Sequence, residues 1–317
     1  MLKNRSCSAY PVLSAESGLL ALFASGPELV EVTARVTELA ARAGCVLSEQ
    51  ARLERRYAHA GEPAGVVVLH EQRAIGYAHL VGRAEPTSDW NVELVGDPSQ
   101  PDAFPAVLAA VLSEAHRAGA PLLRWWAPPS AAMGLLARAF GLECDHVLCR
   151  LEAPLRAAIS ATVPPVRPDG LRLRSLALPY ELDAWVSLNR RAFAAHPTQG
   201  RWTRADVERR IAQPWFDPQG VLVVEAGGEL VATCWVKVQG DALGELYVVA
   251  VHPSHQGLGV GRMVAAAGLR HLASRGARTA CLYVADHNDP AVRLYRGLGF
   301  TPAGSQKVWR AAMAPAR

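Results

Sequence analysis

Along residues 220–238, GVLVVEAGGELVATCWVKV, two apolar runs rich in β-branched residues flank Gly227 and Gly228. That pattern predicts a hairpin, because paired glycines accept the positive φ of a tight turn. LRLRSL before it, and GELYVVAVH and TACLYVAD after it, read as further strands. Apolar residues recur at helical spacing in PYELDAWVSLNRRAFAAH, which breaks at Pro197, and in TRADVERRIAQ, where Thr203 is placed to cap the start. Residues 260–275 and DPAVRLYRGL carry the same spacing, and a last strand is expected from Phe300 to Trp309. The order β-α-α-β-β-β-α-β-α-β predicts an α/β architecture built on a mixed sheet.

The first half repeats this order faintly. GVVVLHEQRAIGYAHLVG answers the hairpin, NVELVGDPSQ stands where LYVVAVHPSH does, PLLRWWAPP matches TACLYVAD, and ARAFGLEC matches YRGLGFTP. Landmarks that keep both order and spacing point to a duplicated unit rather than to two unrelated domains. A proline-rich stretch, ATVPPVRPDG, separates the copies. The expected organisation is an N-terminal domain at 1–155, a linker at 156–170 and a C-terminal domain at 171–317.

Composition narrows the function classes. Of 317 residues, 50% are hydrophobic and 20% charged, as in an ordinary globular protein, and the net charge is only +4. No basic run marks a nucleic-acid surface, and no segment is long and apolar enough to span a membrane. Cys7, Cys45, Cys144, Cys149, Cys234 and Cys281 form no CxxC pair, and GLLALFASG lacks the basic flank of a secretory signal. The cysteines therefore read as reduced thiols in a cytoplasm. The ten histidines are scattered and do not by themselves indicate a metal.

Candidate chemistry begins at VHPSHQGLGVGRMVAAAGL, where Gly257, Gly259 and Gly261 alternate just before an alanine-rich helix. Glycines at a helix start allow close approach of main-chain N–H groups, which suits a phosphate. HQGLGVG carries the Q-x-x-G-x-G pattern on Gln256, Gly259 and Gly261. The later block NDPAVRLYRGLGF supplies Asn288, Ala291, Tyr295 and Phe300 in matching order. Together these motifs resemble the GCN5-related N-acetyltransferase (GNAT) superfamily. LNRRAFAAHPTQGRWT, AQPWFDPQG, WVKV and ALGELYVVAVHP are further similar to the mycothiol synthase family, whose members pair two such domains in tandem. That resemblance is dense from about residue 170 onward.

The resemblance implies two tandem GNAT acyl-CoA N-acyltransferase domains and direct acetyl transfer from acetyl-CoA to the cysteinyl amine of Cys-GlcN-Ins. It assigns CoA binding to Val249, Ala250 and Val251 on a splayed strand and to Gln256, Gly257, Leu258, Gly259, Val260, Gly261 and Arg262 in the loop. Asn288, Asp289, Pro290, Ala291, Val292 and Arg293 form a second wall of the CoA channel. Glu245 corresponds to the general base and Tyr295 to the acid that protonates the departing thiolate. Glu49, Thr198, Lys237, Glu245 and Tyr283 match acceptor-contacting positions, although Thr198 stands where the family carries glutamate. In the first half SQPDAFPAVL lacks the glycine pattern, and Pro101 and Pro105 remove N–H donors, so that copy reads as degenerate. Two other readings stay open: transfer to a different small amine or a protein N-terminus, and an inactive acyl-CoA-binding regulator.

Overall fold

The computed structural model describes residues 19–25, 36–42, 64–71, 73–81, 89–127, 130–162, 170–194, 199–240 and 242–313. The chain forms two compact units, one of Met1–His146 with Gln306–Arg317 and one of Val147–Ser305.

In the first unit the strand order is β1 (Leu19–Ser25), β2 (Ala64–His70), β3 (Arg73–Val81), β4 (Trp90–Gly96), β5 (Leu122–Ala127) and then the end of β12 (Thr301–Ala312). Only the β4–β5 pair is parallel among the pairs described. Helix α1 (Ala103–Arg117) buries its alanine-rich face, from Ala103 to Ala115, on one side of this sheet. Helix α2 (Ala131–Ala139) follows β5.

The second unit repeats the plan. Its order is β6 (Glu143–Pro154), β11 (Thr279–Ala285), β10 (Leu243–Val251), β9 (Glu229–Gln239), β8 (Val221–Ala226) and β7 (Leu171–Ser175). Its helices are α3 (Leu155–Ser160), α4 (Leu182–Ala192), α5 (Arg204–Ile211), α6 (Val260–Ser274) and α7 (Asp289–Arg296). The β8–β9 turn sits on Gly227 and Gly228 at φ 57° and 87°, as the paired glycines predict. Thr203 caps α5 through a reciprocal box with Asp206. α1 and α6, each 15 residues long, follow β4 and β10 at matching places in the two copies.

Each sheet is closed by a strand from the other half of the sequence. β6, which follows α2, pairs with β11 from Thr279–Pro154 to Ala285–Leu148. The end of β12, which follows α7, pairs with β5 from Lys307–Ala127 to Ala312–Leu122. The copies have thus exchanged their last strands.

The second sheet has a packed face on either side. Toward α6 and α7 lie Cys234, Val236, Leu246, Ala280, Leu282 and Val284 with Tyr295 and Phe300. Toward α4 and α5 lies an aromatic cluster in which Trp235 meets Trp185 at 5.6 Å and Tyr247 at 5.5 Å, both edge-on.

Candidate active site

Strands β10 and β11 run parallel, and their pairing among the described residues ends at Glu245–Cys281. β10 continues to Val251 and β11 to Ala285, so the strands part beyond that point. The splay therefore starts at Glu245 and takes in Val249, Ala250 and Val251. Along this opened edge β10 has peptide groups with no strand partner on the β11 side, which are available to a ligand amide.

A β-bulge at Tyr247 shapes the same segment, breaking the β9–β10 register between Leu246 and Val248. Gly244 and Leu246 face α6, and simple alternation would send Val248 there too. Instead Val248 joins the aromatic side while Val249 and Val251 turn toward α6. The extra residue thus reverses which side chains look which way past the splay. In the first unit the corresponding β3–β4 ladder runs from Gly76–Gly96 to Val81–Asn91 without a bulge.

After β10, Gly257 and Gly259 adopt φ 77° and 78°, and Gly259 is the N-cap of α6. A side chain there would cost about 1–2 kcal/mol in backbone strain, although a Cβ at either position meets nothing within 4 Å. Gly261 serves differently: a Cβ there would come within 3.3 Å of Val251 Cγ2. Glycine offers no capping side chain, so α6 begins with its N–H groups uncovered. Leu258 projects outward at 59% exposure, leaving the cradle open. The loop fits a diphosphate. Arg262 donates from its guanidinium to the carbonyls of Ala161 at 2.6 Å and Gly297 at 3.1 Å, so its contribution to the loop is through its main chain. Gln256 donates to the Val251 carbonyl at 3.2 Å.

Asn288 accepts from the Ala291 N–H at 3.3 Å and caps α7, with Pro290 in the first turn. Asp289, Pro290 and Arg293 are exposed, whereas Ala291 and Val292 pack on the core. One turn on, Tyr295 is 7% exposed and lies edge-on to Phe300. Burial, reinforced by Cys234, pushes its phenol far above the ordinary value, so it stays protonated. Cys234, opposite Val249 across the β9–β10 ladder, shares the core on the α6–α7 side with Tyr295.

The opposite side carries Glu245, 8% exposed and accepting from Gln239. Lys237 faces Glu245 across β9–β10, with its ammonium 4.4 Å from the Trp215 ring centre. Tyr283, on β11, is raised by burial and by the charge of Glu245. Glu245, Lys237 and Tyr283 therefore come together on one face, with Tyr295 and the glycine loop reached from the other. Glu49 and Thr198 lie outside the described residues, as does His196.

Several residues on this face carry no motif. Arg210, 1% exposed, stacks 3.8 Å over Trp202 and donates to the Tyr247 hydroxyl at 2.9 Å, fixing the bulge residue. Its spacing from Val207 along α5 was the available signal, since it puts Arg210 on the buried helix face. Cys281 lies between Glu245 and the β6 strand; burial pushes its thiol up to about 11, which rules out a nucleophilic thiolate at neutral pH.

A splayed mixed sheet with a glycine loop opening the following helix defines the GNAT class of N-acetyltransferases, and residues 182–300 match the Acetyltransferase (GNAT) family. A tandem GNAT protein of the clavulanic acid pathway, solved without acetyl-CoA, shares the fold at TM-score 0.67 and 17% identity, over 94% of this chain and all of that one. The mycothiol acetyltransferase of Thermomonospora curvata is 39% identical over 87% of this chain and 91% of its own length. That of Thermobispora bispora is 40% identical over 86% and 92%. The chain belongs to the mycothiol acetyltransferase family.

Proposed function

We propose that this protein moves the acetyl group of acetyl-CoA directly onto the cysteinyl amine of Cys-GlcN-Ins, giving mycothiol and free CoA. The observation that carries the reading is the splay after Glu245–Cys281, flanked by a buried carboxylate on one face and a buried, protonated phenol on the other. The glycine loop and the start of α6 take the CoA diphosphate, and Asn288–Arg293 borders the channel. The opened edge of β10 near Val249 holds the pantetheine amides and offers an N–H to the thioester oxygen as negative charge develops there. Glu245 removes a proton from the amine, directly or through water. The amine nitrogen attacks the carbonyl carbon, the C–S bond breaks, and Tyr295 protonates the departing thiolate. Lys237 and Tyr283 border the acceptor.

The first unit is the degenerate partner in this reading. Asp97, which answers His252 just ahead of the glycine loop, takes both the N–H and the hydroxyl of Ser99, at 3.0 and 2.6 Å, and pairs with Arg42 at 3.0 Å and Arg73 at 3.4 Å. The hydrogen bond from Ser99, together with Arg42, outweighs burial and holds its carboxyl below the usual range. The loop that follows lacks the glycine pattern, and Pro101 and Pro105 have no N–H to offer a diphosphate. Every residue given a role in acetyl transfer here belongs to the second unit, so a monomer suffices. The described cysteines are all free thiols, in keeping with a reducing cytoplasm.

The test is incubation of the purified protein with acetyl-CoA and Cys-GlcN-Ins. Release of CoA thiol, mycothiol formation and one CoA bound per chain are expected. Turnover confined to other amines, or CoA binding without turnover, overturns the assignment.

A further inference from the structure

Strand β6 alternates like any strand, and its two faces have opposite character. Cys149, Leu151 and Ala153 pack toward α6 and α7. Arg150 and Glu152 take the other face, which is the one that carries Glu245. The register fixes their neighbours: Glu245 is opposite Cys281, Cys281 is opposite Glu152, and Tyr283 is opposite Arg150. Arg150 pairs with Glu152, and the two side chains are 32% and 31% exposed. Tyr283, 52% exposed, completes a polar row across β11 and β6.

We propose that Arg150 and Glu152 form the hydroxyl-recognising end of the acceptor site and select a polyhydroxylated amine over a plain one. This rests on the proposed function above, which puts the reacting nitrogen at Glu245. Two strand spacings separate β10 from β6, about 10 Å, which is the reach of an acceptor with sugar-sized rings beyond its amine. The chemistry suits such a ligand. A guanidinium presents a fixed fork of donors and a carboxylate accepts, so the pair serves both functions of neighbouring hydroxyls. A part-exposed ion pair contributes little to stability, so folding alone does not account for placing it here. Although burial works against its charge, Glu152 beside it and a hydrogen bond with Tyr283 favour the charged form of Arg150.

The discriminating experiment compares two acceptors on the full-length protein: Cys-GlcN-Ins, and a cysteinyl amide that keeps the amine but carries no hydroxyl-bearing ring. Arg150→Ala should raise the KM for Cys-GlcN-Ins by roughly 10- to 100-fold, the size of one or two charged hydrogen bonds lost. It should leave kcat, the acetyl-CoA KM and kcat/KM for the plain amide close to wild type, because lost uniform binding appears in KM alone. Arg150→Lys should recover part of the loss, since it keeps the charge without the fork, and Glu152→Gln should impair the same acceptor selectively. Equal losses on both acceptors, or none on either, overturn the inference, as does a wild-type enzyme that shows no preference between them. Calorimetric binding of Cys-GlcN-Ins to wild type and Arg150→Ala keeps the two readings apart. Binding that weakens in the variant while the wild type fails to turn over removes the acetyl-transfer assignment alone. Binding unchanged by the variant removes the hydroxyl site alone.

Discussion

Glu245 and Tyr295 lie on opposite sides of one sheet, and in the proposed reaction that separation divides their labour. In that proposal the carboxylate meets an acceptor from the α4–α5 side, and the phenol waits beneath the splay on the α6–α7 side. Glu245→Gln keeps the shape and removes the proton acceptor. Turnover should fall roughly 10²- to 10⁴-fold, and the pH–rate profile should shift upward, because only amine already deprotonated in solution then reacts. A profile superimposable on wild type would take Glu245 out of the base role. Tyr295→Phe preserves the contact with Phe300 and removes one hydroxyl. Transfer should slow while the calorimetric Kd for acetyl-CoA stays put, since the role proposed for the phenol is on the leaving thiolate and not on the diphosphate. Unchanged turnover would return this tyrosine to the hydrophobic core.

At the scale of elements, the Tyr247 bulge and the α6 start do most to build the site. The bulge turns Val249 and Val251 toward α6, and Arg210 pins the bulged residue in place. At its far end α6 is tied down by Asp217, which accepts from His271 at 2.8 Å and Arg275 at 2.7 Å. Burial alone would raise the Asp217 carboxyl, but bonds from Arg275, His271 and the Gln219 N–H outweigh it and bring it down to about 2. A group depressed in the folded state contributes in full above the unfolded value near 3.9, and that contribution is lost as pH falls toward 2. Asp217→Asn should therefore lower stability by about 1–2 kcal/mol at neutral pH, with the gap to wild type closing between about pH 4 and 2. Urea titrations at several pH values measure it, and a gap independent of pH would contradict the tether.

At the scale of the whole molecule, the exchanged strands decide what folds. A fragment cut at the proline-rich boundary, residues 171–317, lacks β6 and leaves β11 with a bare edge. It also discards Leu151, Ala153, Leu155 and Ala158 from the core, on the order of 5 kcal/mol of burial against a typical total of 5–15. The fragment 147–305 keeps them. It should give a cooperative thermal transition and elute as a monomer, whereas 171–317 should aggregate or melt at least about 10 °C lower. Equal melting of the two fragments would show that β6 is dispensable to the second unit.

The sequence by itself determined the local features: the Gly227–Gly228 hairpin, the Thr203 cap, the glycine loop, the order of elements and the likeness to a tandem acetyltransferase. Each is written in neighbouring residues, where turn chemistry, periodicity and motif spacing act over a few positions. Glu245 and Tyr295 could be singled out as candidates from the sequence too, because they sit inside continuous motifs. Tertiary structure alone decided that the last strands change places, that a single extra residue at Tyr247 reverses a strand's faces, and that Arg150 and Glu152 share the face of the sheet that carries Glu245. A strand's pattern records that one face is buried, not which edge it will join. Pairing partners far apart in sequence are chosen by the sheet as a whole.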